Sequence, residues 1–274
     1  MLINLNKIRS VVIEEVIHET PTVKTFIFKD RISNKAKPGQ FLMLWIPGKE
    51  ELPMSVMLSK RKDRAAVTVR KVGYGSTALY EKSVGEKIGI RGPYGNFFTV
   101  PSTANKALLM GGGTGLAPLM RLAEILCDHK IACTVIIGAK TKEEVFFETF
   151  ANDLLSDTHH RVIVTTDDGS YGLEGKATDA MADIVGIEKF DIVYTCGPEL
   201  MMREVFNIAS SYSLPIQASL ERHMKCGIGI CASCCIDGYL VCKDGTVFDE
   251  DKLPNLKEFG KTYRDKSGRK KFYS

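Results

Sequence analysis

A crowded group of cysteines constrains this chain more than any other feature of its sequence. Five of the eight cysteines in 274 residues fall within residues 226–242, and the first 126 residues contain none. The five are Cys226, Cys231, Cys234, Cys235 and Cys242. Disulfide-stapled secreted proteins are normally short and spread their cysteines along the chain. Clustering in a chain of this length indicates a metal or iron–sulfur site in a reducing compartment.

Composition and charge argue against several other classes of protein for this chain. Hydrophobic residues make up 44% and charged residues 26%, with a net charge of only +4, so neither a disordered chain nor a nucleic-acid binder acting through bulk charge is expected. Residues 1–9 lack the apolar core of a signal peptide, and the apolar stretch 107–126 is interrupted by four glycines, Pro118 and Arg121. We therefore expect a cytoplasmic protein without a membrane span.

The rhythm of apolar residues divides the chain into three predicted domains, with boundaries at 1–100, 101–218 and 219–274. Short strands at 24–28, 41–46, 66–72 and 88–91, separated by Gly/Pro turns, predict a small antiparallel barrel or sandwich. Strands and helices then alternate from residue 107 to 210, which predicts a doubly wound parallel sheet. The third region carries the cysteines and ends in a lysine-rich tail, interpreted as a solvated arm.

The cysteine spacing predicts the metal centre. Cys226, Cys231 and Cys234 form C-x4-C-x2-C, and Cys242 follows, which is the ligand pattern of plant-type [2Fe–2S] clusters. Gly227 would let the loop wrap the cluster. Structural zinc is the main alternative, but zinc sites usually use paired CxxC knuckles and only one CxxC occurs here.

Two neighbouring cysteines compete for the third ligand position. Asp237-Gly238 predicts a tight hairpin, and strand alternation would then place Cys242 on the same face as Cys235. The spacing pattern favours Cys234, which we expect in the loop before the strand. The remaining pair, Cys127 and Cys133, is interpreted as core packing.

Two glycine turns follow predicted parallel strands and are candidates for nucleotide binding. Glycines at a strand-to-helix turn let the backbone approach a pyrophosphate, although a tight turn without ligand has similar patterning. The candidate positions are Gly111, Gly112, Gly113, Thr114 and Gly115, with Cys196, Gly197 and Pro198 at the same sheet edge. The first region has two further segments that are candidate flavin contacts or simple strand-end turns. They are Leu52, Pro53, Met54 and Ser55, and Gly73 to Thr77.

The order of these parts resembles the ferredoxin reductase superfamily and, within it, the electron-transfer subunits of class 1B dihydroorotate dehydrogenases. The stretches that carry the resemblance are DDGSYG at 167–172, CGP at 196–198, LERHMKCGIGIC at 220–231 and VCKDGTVF at 241–248. The sulfhydrogenase and sulfite reductase gamma subunits share MKCGIG and VCKDG and are the alternative. A zinc-stabilised nucleotide-binding module without redox function is the alternative from another class.

The resemblance implies FAD in the first domain, NAD in the second and [2Fe–2S] in the third, with no residue acting as general acid or base. It implies FAD contacts at Leu52 to Ser55, Val69, Arg70, Lys71, Ser76 and Thr77. The implied partner is an FMN-containing catalytic subunit that oxidises dihydroorotate, in a heterotetramer. One departure stands out: Leu52 occupies the position where this family commonly has an arginine. Either Arg70 or Lys71 is expected to supply the cation, or the pyrophosphate is expected to rely on backbone groups.

Overall fold

Two large β-sheets organise the chain in the computed structural model, which describes residues 5–61, 63–157 and 159–273. The strands are β1 Arg9–Thr20, β2 Val23–Lys29, β3 Phe41–Trp45, β4 Glu51–Ser55, β5 Arg64–Arg70, β6 Lys87–Tyr94, β7 Lys106–Gly112, β8 Ala132–Ala139, β9 Arg161–Thr166, β10 Leu173–Glu174, β11 Ile192–Cys196, β12 Ile216–Ser219, β13 Cys235–Ile236, β14 Tyr239–Leu240, β15 Val247–Asp249, β16 Thr262–Arg264 and β17 Lys270–Phe272. The helices are α1 Arg31–Asn34, α2 Tyr74–Tyr80, α3 Leu116–Asp128, α4 Glu148–Leu154, α5 Ala177–Ile187, α6 Glu199–Ser211 and α7 Val241–Asp244.

The first sheet has six antiparallel strands in the order β4-β3-β6-β1-β2-β5. Its inward-facing residues form a separate apolar core that includes Ile13, Phe28 and Leu44. The edge strands approach each other where Met57 N donates to Ala66 O at 2.9 Å, a single bridge beyond β4. The predicted antiparallel architecture is confirmed, but across the described residues no continuous ladder closes this sheet into a barrel.

The second sheet has the order β10-β9-β8-β7-β11-β12-β15, and it is parallel except at β15. The chain moves outward from β7 to β10 and then returns to the other side of β7, which makes β7/β11 the switch point of the sheet. Open α/β sheets bind ligands at the carboxyl ends of the strands at such a point. The predicted doubly wound sheet is confirmed, and it brings the two glycine turns together.

The third region lies where the two sheets meet. Its strand β15 pairs antiparallel with β12 and completes the second sheet. Buried Ile236, Val241 and Phe248 join a core that also contains Met43 of the first sheet and Met110 of the second. The cysteine-bearing segment is therefore attached to both sheets.

Several elements differ from the sequence predictions. Residues 52–55 form an edge strand rather than a turn, since β4 pairs with β3, and Pro53 is tolerated there because an edge strand has free N–H positions. The residues after Gly73 form helix α2, and the long strand β1 has no counterpart in the prediction. In the alternating region, α4 begins only at Glu148, because Phe146 and Phe147 are buried ahead of it.

The basic tail is also more ordered than a solvated arm. It forms the hairpin β16–β17, in which the rings of Tyr263 and Tyr273 lie 5.0 Å apart. Lys266 at its tip lies 3.4 Å from Glu50 of the first region. Across the described ranges, no helix is long and apolar enough to span a membrane.

Candidate functional site: a thiol loop beside a nucleotide-binding edge

Four of the five clustered cysteines form two pairs of thiols. Cys226 and Cys231 lie in the irregular loop before β13, and their side chains are hydrogen-bonded. Cys234 and Cys242 form the second pair, in which Cys242 N donates to Cys234 Sγ at 3.4 Å. Within the described part of the chain, no group of three or more His, Cys, Asp or Glu side chains is arranged to hold a metal ion. Two pairs of thiolates are the arrangement that two bridged irons require.

Backbone N–H groups point at these sulfurs. Cys226 Sγ accepts from the amides of Ile228, Ile230 and Cys231 at 3.5, 3.4 and 3.5 Å. The amide of Gly229 donates to Cys242 Sγ at 3.2 Å and so connects the two pairs. Amides directed at thiolate sulfur stabilise the negative charge of an iron–sulfur centre and tune its potential. The donor set therefore fits a [2Fe–2S] cluster.

The glycines of the CGIGIC stretch make this loop possible. Gly227 has φ +71° and Gly229 has φ +80°, a left-handed conformation that residues with a Cβ rarely adopt. A side chain at Gly229 would also collide with Lys243, because an added Cβ would lie 2.8 Å from its Cδ. The turn at these two residues is what aims successive amides at the sulfurs.

The loop environment lowers the pKa of two of the thiols. A hydrogen bond from Cys242 lowers the pKa of Cys234 to about 7, against an opposing effect of burial. Burial also opposes ionisation of Cys231, but hydrogen bonds from Ser233 and Cys226 outweigh it and lower its pKa to about 6. The thiolate is the form that binds metal, so both shifts favour ligation near neutral pH.

The fifth cysteine, Cys235, lies in β13 and pairs with Leu240 across the predicted Asp-Gly hairpin, which is confirmed. Strand alternation does not extend to Cys242, because that residue lies in helix α7 after the hairpin ends. The geometry therefore sets Cys242 beside Cys234 rather than beside Cys235.

The nucleotide-binding candidates form one tight edge at the switch point. Cys196 is the register partner of Gly111, and a side chain at Gly115 would overlap the carbonyl of Cys196. An added Cβ at Gly197 would lie 2.9 Å from the backbone of Gly112, while the space in front of Gly113 is open. The glycines thus let the two turns pack together and leave a free backbone surface, which fits a dinucleotide. Thr114 is half-buried in the 3-10 turn Gly113–Gly115 that leads into α3, and Pro198 caps α6.

Burial and a neighbouring carboxylate modify the thiol of Cys196 at this edge. Burial raises the pKa of Cys196 to about 12, and the nearby carboxylate of Glu221 acts in the same direction. Glu221 is an exposed residue, and partial desolvation raises the pKa of its carboxyl against the opposing charge of Arg222. Cys196 is therefore a neutral thiol. The sequence singled out residues 219–222 only as a segment that could bridge the flavin pocket and the cluster domain, and it did not indicate that Glu221 approaches Cys196.

The candidate flavin residues lie along one side of the first sheet. Leu52, Pro53, Met54 and Ser55 are all half-buried on β4, and Val69 is buried on β5. Arg70 pairs with Glu144 of the second region at 3.0 Å, while its buried Nε has no hydrogen-bond partner among the residues that the structure describes. This orphaned donor fits a bound polar group such as a flavin or its phosphates.

The remaining candidates surround the start of α2. Ser76 Oγ accepts from the amides of Val72 and Gly73 at 3.0 and 2.9 Å, and Thr77 N donates to Gly73 O at 2.8 Å. Lys71 Nζ lies 4.8 Å from the ring centroid of Tyr80. In this structure Ser76 and Thr77 are therefore engaged in capping the helix.

Sequence reasoning also missed a buried ion pair between α6 and the segment before Cys226. Arg222 contacts Glu199 through its two terminal guanidinium nitrogens, Nη1 and Nη2, with Nη2 to Oε1 at 2.8 Å. The side chains of Arg222 and Glu199 are only 3% and 4% exposed. A charged residue directly after CGP and another directly before the thiol loop were visible in the sequence. Their pairing across 23 positions was not.

The other two cysteines lie away from this site. Cys133 is buried at the start of β8, as predicted for a packing residue. Cys127 is only half-buried, and its Sγ lies 3.7 Å from His160 Nε2. Cys127 nevertheless packs against the core of the second region, so its predicted role in packing is confirmed although the residue is not fully buried.

The fold and the site define a class: a ferredoxin-reductase-like oxidoreductase with an added iron–sulfur domain. The profile of the "oxidoreductase NAD-binding domain" matches residues 109–206, and that of the "iron-sulfur cluster binding domain of dihydroorotate dehydrogenase B" matches residues 221–254. A probable electron transfer subunit of dihydroorotate dehydrogenase B (NAD(+)) from Methanocaldococcus jannaschii is 44% identical over 95% of this chain and 97% of its own. The chain belongs to the family of dihydroorotate dehydrogenase B electron transfer subunits.

Solved structures show the same architecture. The NADH-dependent reduced ferredoxin-NADP oxidoreductase, described in connection with flavin-based electron bifurcation, superimposes with a TM-score of 0.79 at 29% identity, covering 91% of this chain and 92% of that one. A ferredoxin NADP+ reductase from Neisseria gonorrhoeae with bound FAD and NADP superimposes with a TM-score of 0.65 at 19% identity, over 75% and 92% of the two chains. The second likeness establishes the fold alone.

Proposed function

We propose that this chain is the electron-transfer subunit of an NAD-dependent dihydroorotate dehydrogenase and carries electrons between a catalytic partner and NAD. The observation that carries the proposal is the presence of two thiol pairs held by five backbone amides in a chain that also has the glycine turns of the β7/β11 edge. Membership of the family supplies the substrate class. Relatives from Methanocaldococcus jannaschii, Methanocella arvoryzae and Pyrococcus furiosus carry the dihydroorotate dehydrogenase name, which favours this function over that of a sulfhydrogenase or sulfite reductase gamma subunit.

Each region of the chain has a distinct task in this function. Residues 1–100 hold FAD, residues 101–218 bind NAD and residues 219–274 hold the cluster. Flavin supplies the conversion between the two-electron chemistry of nicotinamide and the one-electron chemistry of the cluster, which no side chain offers. The protein contributes binding, orientation and electrostatics.

The four thiols of Cys226, Cys231, Cys234 and Cys242 hold the cluster. Their amide donors come from residues 228–231 and 242, so the loop conformation stabilises the charge that accumulates at the sulfurs. The Cys231 side of the site is exposed, whereas the Cys242 side is buried. Electrons therefore exchange with the partner on the Cys231 side.

The turns at Gly111–Gly115 and Cys196–Pro198 bind the dinucleotide. The amides at the start of α3 would hold its diphosphate, and the neutral thiol of Cys196 would line the nicotinamide site without adding charge. On the first sheet, β4 and the start of α2 hold FAD, with Arg70 Nε as the donor that replaces the arginine absent at Leu52. No general acid or base is needed for this electron path.

The partner is an FMN-containing catalytic subunit that oxidises dihydroorotate to orotate, in a cytoplasmic heterotetramer. Purification of the protein with its co-expressed catalytic subunit tests this assembly. Dihydroorotate-dependent reduction of NAD by the complex is the expected result. A complex that reduces NAD only with a sulfur-compound donor would contradict the proposed substrate and favour the sulfhydrogenase alternative.

The cofactors are tested on the isolated chain. Visible absorption is expected to contain flavin bands with an iron–sulfur shoulder, and elemental analysis is expected to find two irons per chain. A colourless protein that contains zinc would overturn both the cluster and the function.

A further inference from the structure

The buried ion pair Glu199–Arg222 connects the two ends of the proposed electron path. Glu199 is the first residue of α6 and follows the turn 196–198, while Arg222 lies in the segment that leads to Cys226. Both side chains are almost completely removed from solvent. An isolated charge in this position would be strongly unfavourable, so each side chain depends on the other.

Further hydrogen bonds extend this pair to neighbouring segments. Arg222 Nη1 donates to the carbonyl of Glu221, the residue beside the Cys196 thiol, at 2.8 Å. Gly260 N donates to Glu199 Oε1 at 2.8 Å, and Tyr273 of the terminal hairpin is hydrogen-bonded to Glu199. The nucleotide edge, the segment before the thiol loop and the C-terminal segment therefore meet at one carboxylate.

Stability alone is a poor explanation for this arrangement. Buried ion pairs are commonly no more stabilising than apolar side chains of the same size, but they impose one relative geometry on the groups that they join. The pair offers two-point contact between guanidinium and carboxylate, which restrains both distance and rotation. It is placed between two parts of the chain whose separation controls electron transfer.

We infer that Glu199 and Arg222 are positioning residues that hold the thiol loop in register with the nucleotide edge. This inference rests on the proposed function. Glu199 anchors the loop-entry segment 219–225 through Arg222, and neither side chain touches a cofactor or substrate. Loss of the carboxylate charge releases the segment and alters the path between the flavin side and the cluster.

The test compares Glu199→Gln with the wild-type holoprotein. Amide hydrogen exchange of residues 221–231 is expected to rise about tenfold in the variant, because a buried guanidinium has lost its counter-charge. Reduction of the flavin by NADH is expected to remain within about twofold of wild type, while reduction of the cluster in the same stopped-flow experiment slows about tenfold through misplacement. The line shape of the EPR spectrum of the reduced cluster is expected to change.

Two further variants separate positioning from general stability. Glu188→Gln removes a carboxylate that pairs with Lys106 and Arg161 at 2.8 and 3.0 Å on the second sheet, far from the thiol loop in the fold. It is expected to leave exchange at 221–231, both reduction rates and the EPR signal unchanged. Arg222→Lys keeps the charge but loses the two-point contact, and its effects are expected to lie between those of wild type and Glu199→Gln.

The inference is overturned if Glu199→Gln leaves exchange and cluster reduction at wild-type values. It is equally overturned if the variant slows both reduction steps alike and raises exchange throughout the second sheet, since that is a general loss of structure. Should Glu199→Gln fail to fold, Arg222→Lys carries the same measurements. Failure of the proposed function is distinct, because the wild-type protein would then lack flavin or cluster absorption.

Discussion

The two thiol pairs of the candidate cluster site have the same chemistry but opposite surroundings. Cys234 and Cys242 are 2% and 3% exposed and belong to the core shared by the two sheets. Cys226 and Cys231 lie outside that core, in a loop whose order depends on amide-to-sulfur hydrogen bonds. We call them the inner pair (Cys234 and Cys242) and the outer pair (Cys226 and Cys231).

This difference separates two requirements of an electron-transfer centre. The inner pair is positioned by the hydrophobic burial that folds the rest of the chain, so it exists before any metal arrives. The outer pair lies outside that core, and we expect the metal to complete it, as in other sites where the binding energy of the metal contributes to folding. One side of the site is therefore rigid and the other remains open to a partner.

The largest expected effect comes from substitution in the inner pair. Cys234→Ser is expected to abolish the [2Fe–2S] absorption and to lower the free energy of unfolding by about 1–3 kcal/mol, because a hydroxyl replaces a thiol in an apolar core. Cys231→Ser is the matched control: it also abolishes the cluster, but the stability of the apoprotein changes by less than about 0.5 kcal/mol. Denaturant titration of both metal-free variants measures the difference, and equal losses of stability would contradict the comparison.

Removal of the metal sharpens the same contrast without a mutation. Chelation under reducing conditions is expected to raise hydrogen exchange strongly at residues 226–231 and to leave residues 234–242 protected. The physical reason is that the latter segment is held by Ile236 and Val241 in the core. Uniform loss of protection across both segments would show that the metal organises the whole region.

The pH dependence of thiol reactivity distinguishes the pairs in the apoprotein. The thiolate is the reactive form, so alkylation of Cys231 is expected to rise with pH through its pKa of about 6 and to level off above it. Cys234 has a similar lowered pKa but is buried, and its modification is expected only at rates set by local opening. Peptide mapping after timed alkylation at several pH values reports each residue. Rapid modification of Cys234 would contradict its assignment to the inner pair.

The smallest effect is expected at Cys235, which neighbours the inner pair without belonging to it. Cys235→Ser is expected to retain the visible spectrum and iron content, since this residue pairs with Leu240 in the hairpin instead of contacting Cys242. The change in stability should stay within about 0.5 kcal/mol for a half-exposed position. Loss of the cluster in this variant would show that Cys235, rather than Cys234, is the cluster ligand.

Local patterns in the chain predicted much of this architecture. Strand–helix alternation and the glycine turns led to the doubly wound sheet, and Asp237-Gly238 led to the hairpin, because those features depend on backbone preferences of a few residues. Turn assignments at 52–55 and 73–77 were wrong. Strand β4 exists through pairing with β3, and α2 begins at residues whose glycine content resembles a turn.

The residues around the site also divide into those that the sequence predicted and those whose contacts only the folded structure shows. Cysteine spacing predicted the four candidate ligands, since a short loop around two irons imposes its own intervals. Long-range contacts were not accessible: Glu221 beside Cys196, the Glu199–Arg222 pair and the approach of Lys266 to Glu50 all join distant segments. Side-chain alternation also failed for Cys242, because α7 begins one residue earlier.

The sequence alone was sufficient to predict the kind of metal centre, a nucleotide-binding edge and the order of the regions. These features depend on residues that are close together in the sequence. The depth of each thiol was decided only in the folded molecule. Burial is a property of the space between elements, and the core that encloses Cys234 and Cys242 is assembled from both sheets and the third region. For that reason eight cysteines with identical chemistry have different environments, and only the tertiary structure separates the inner pair from the outer one.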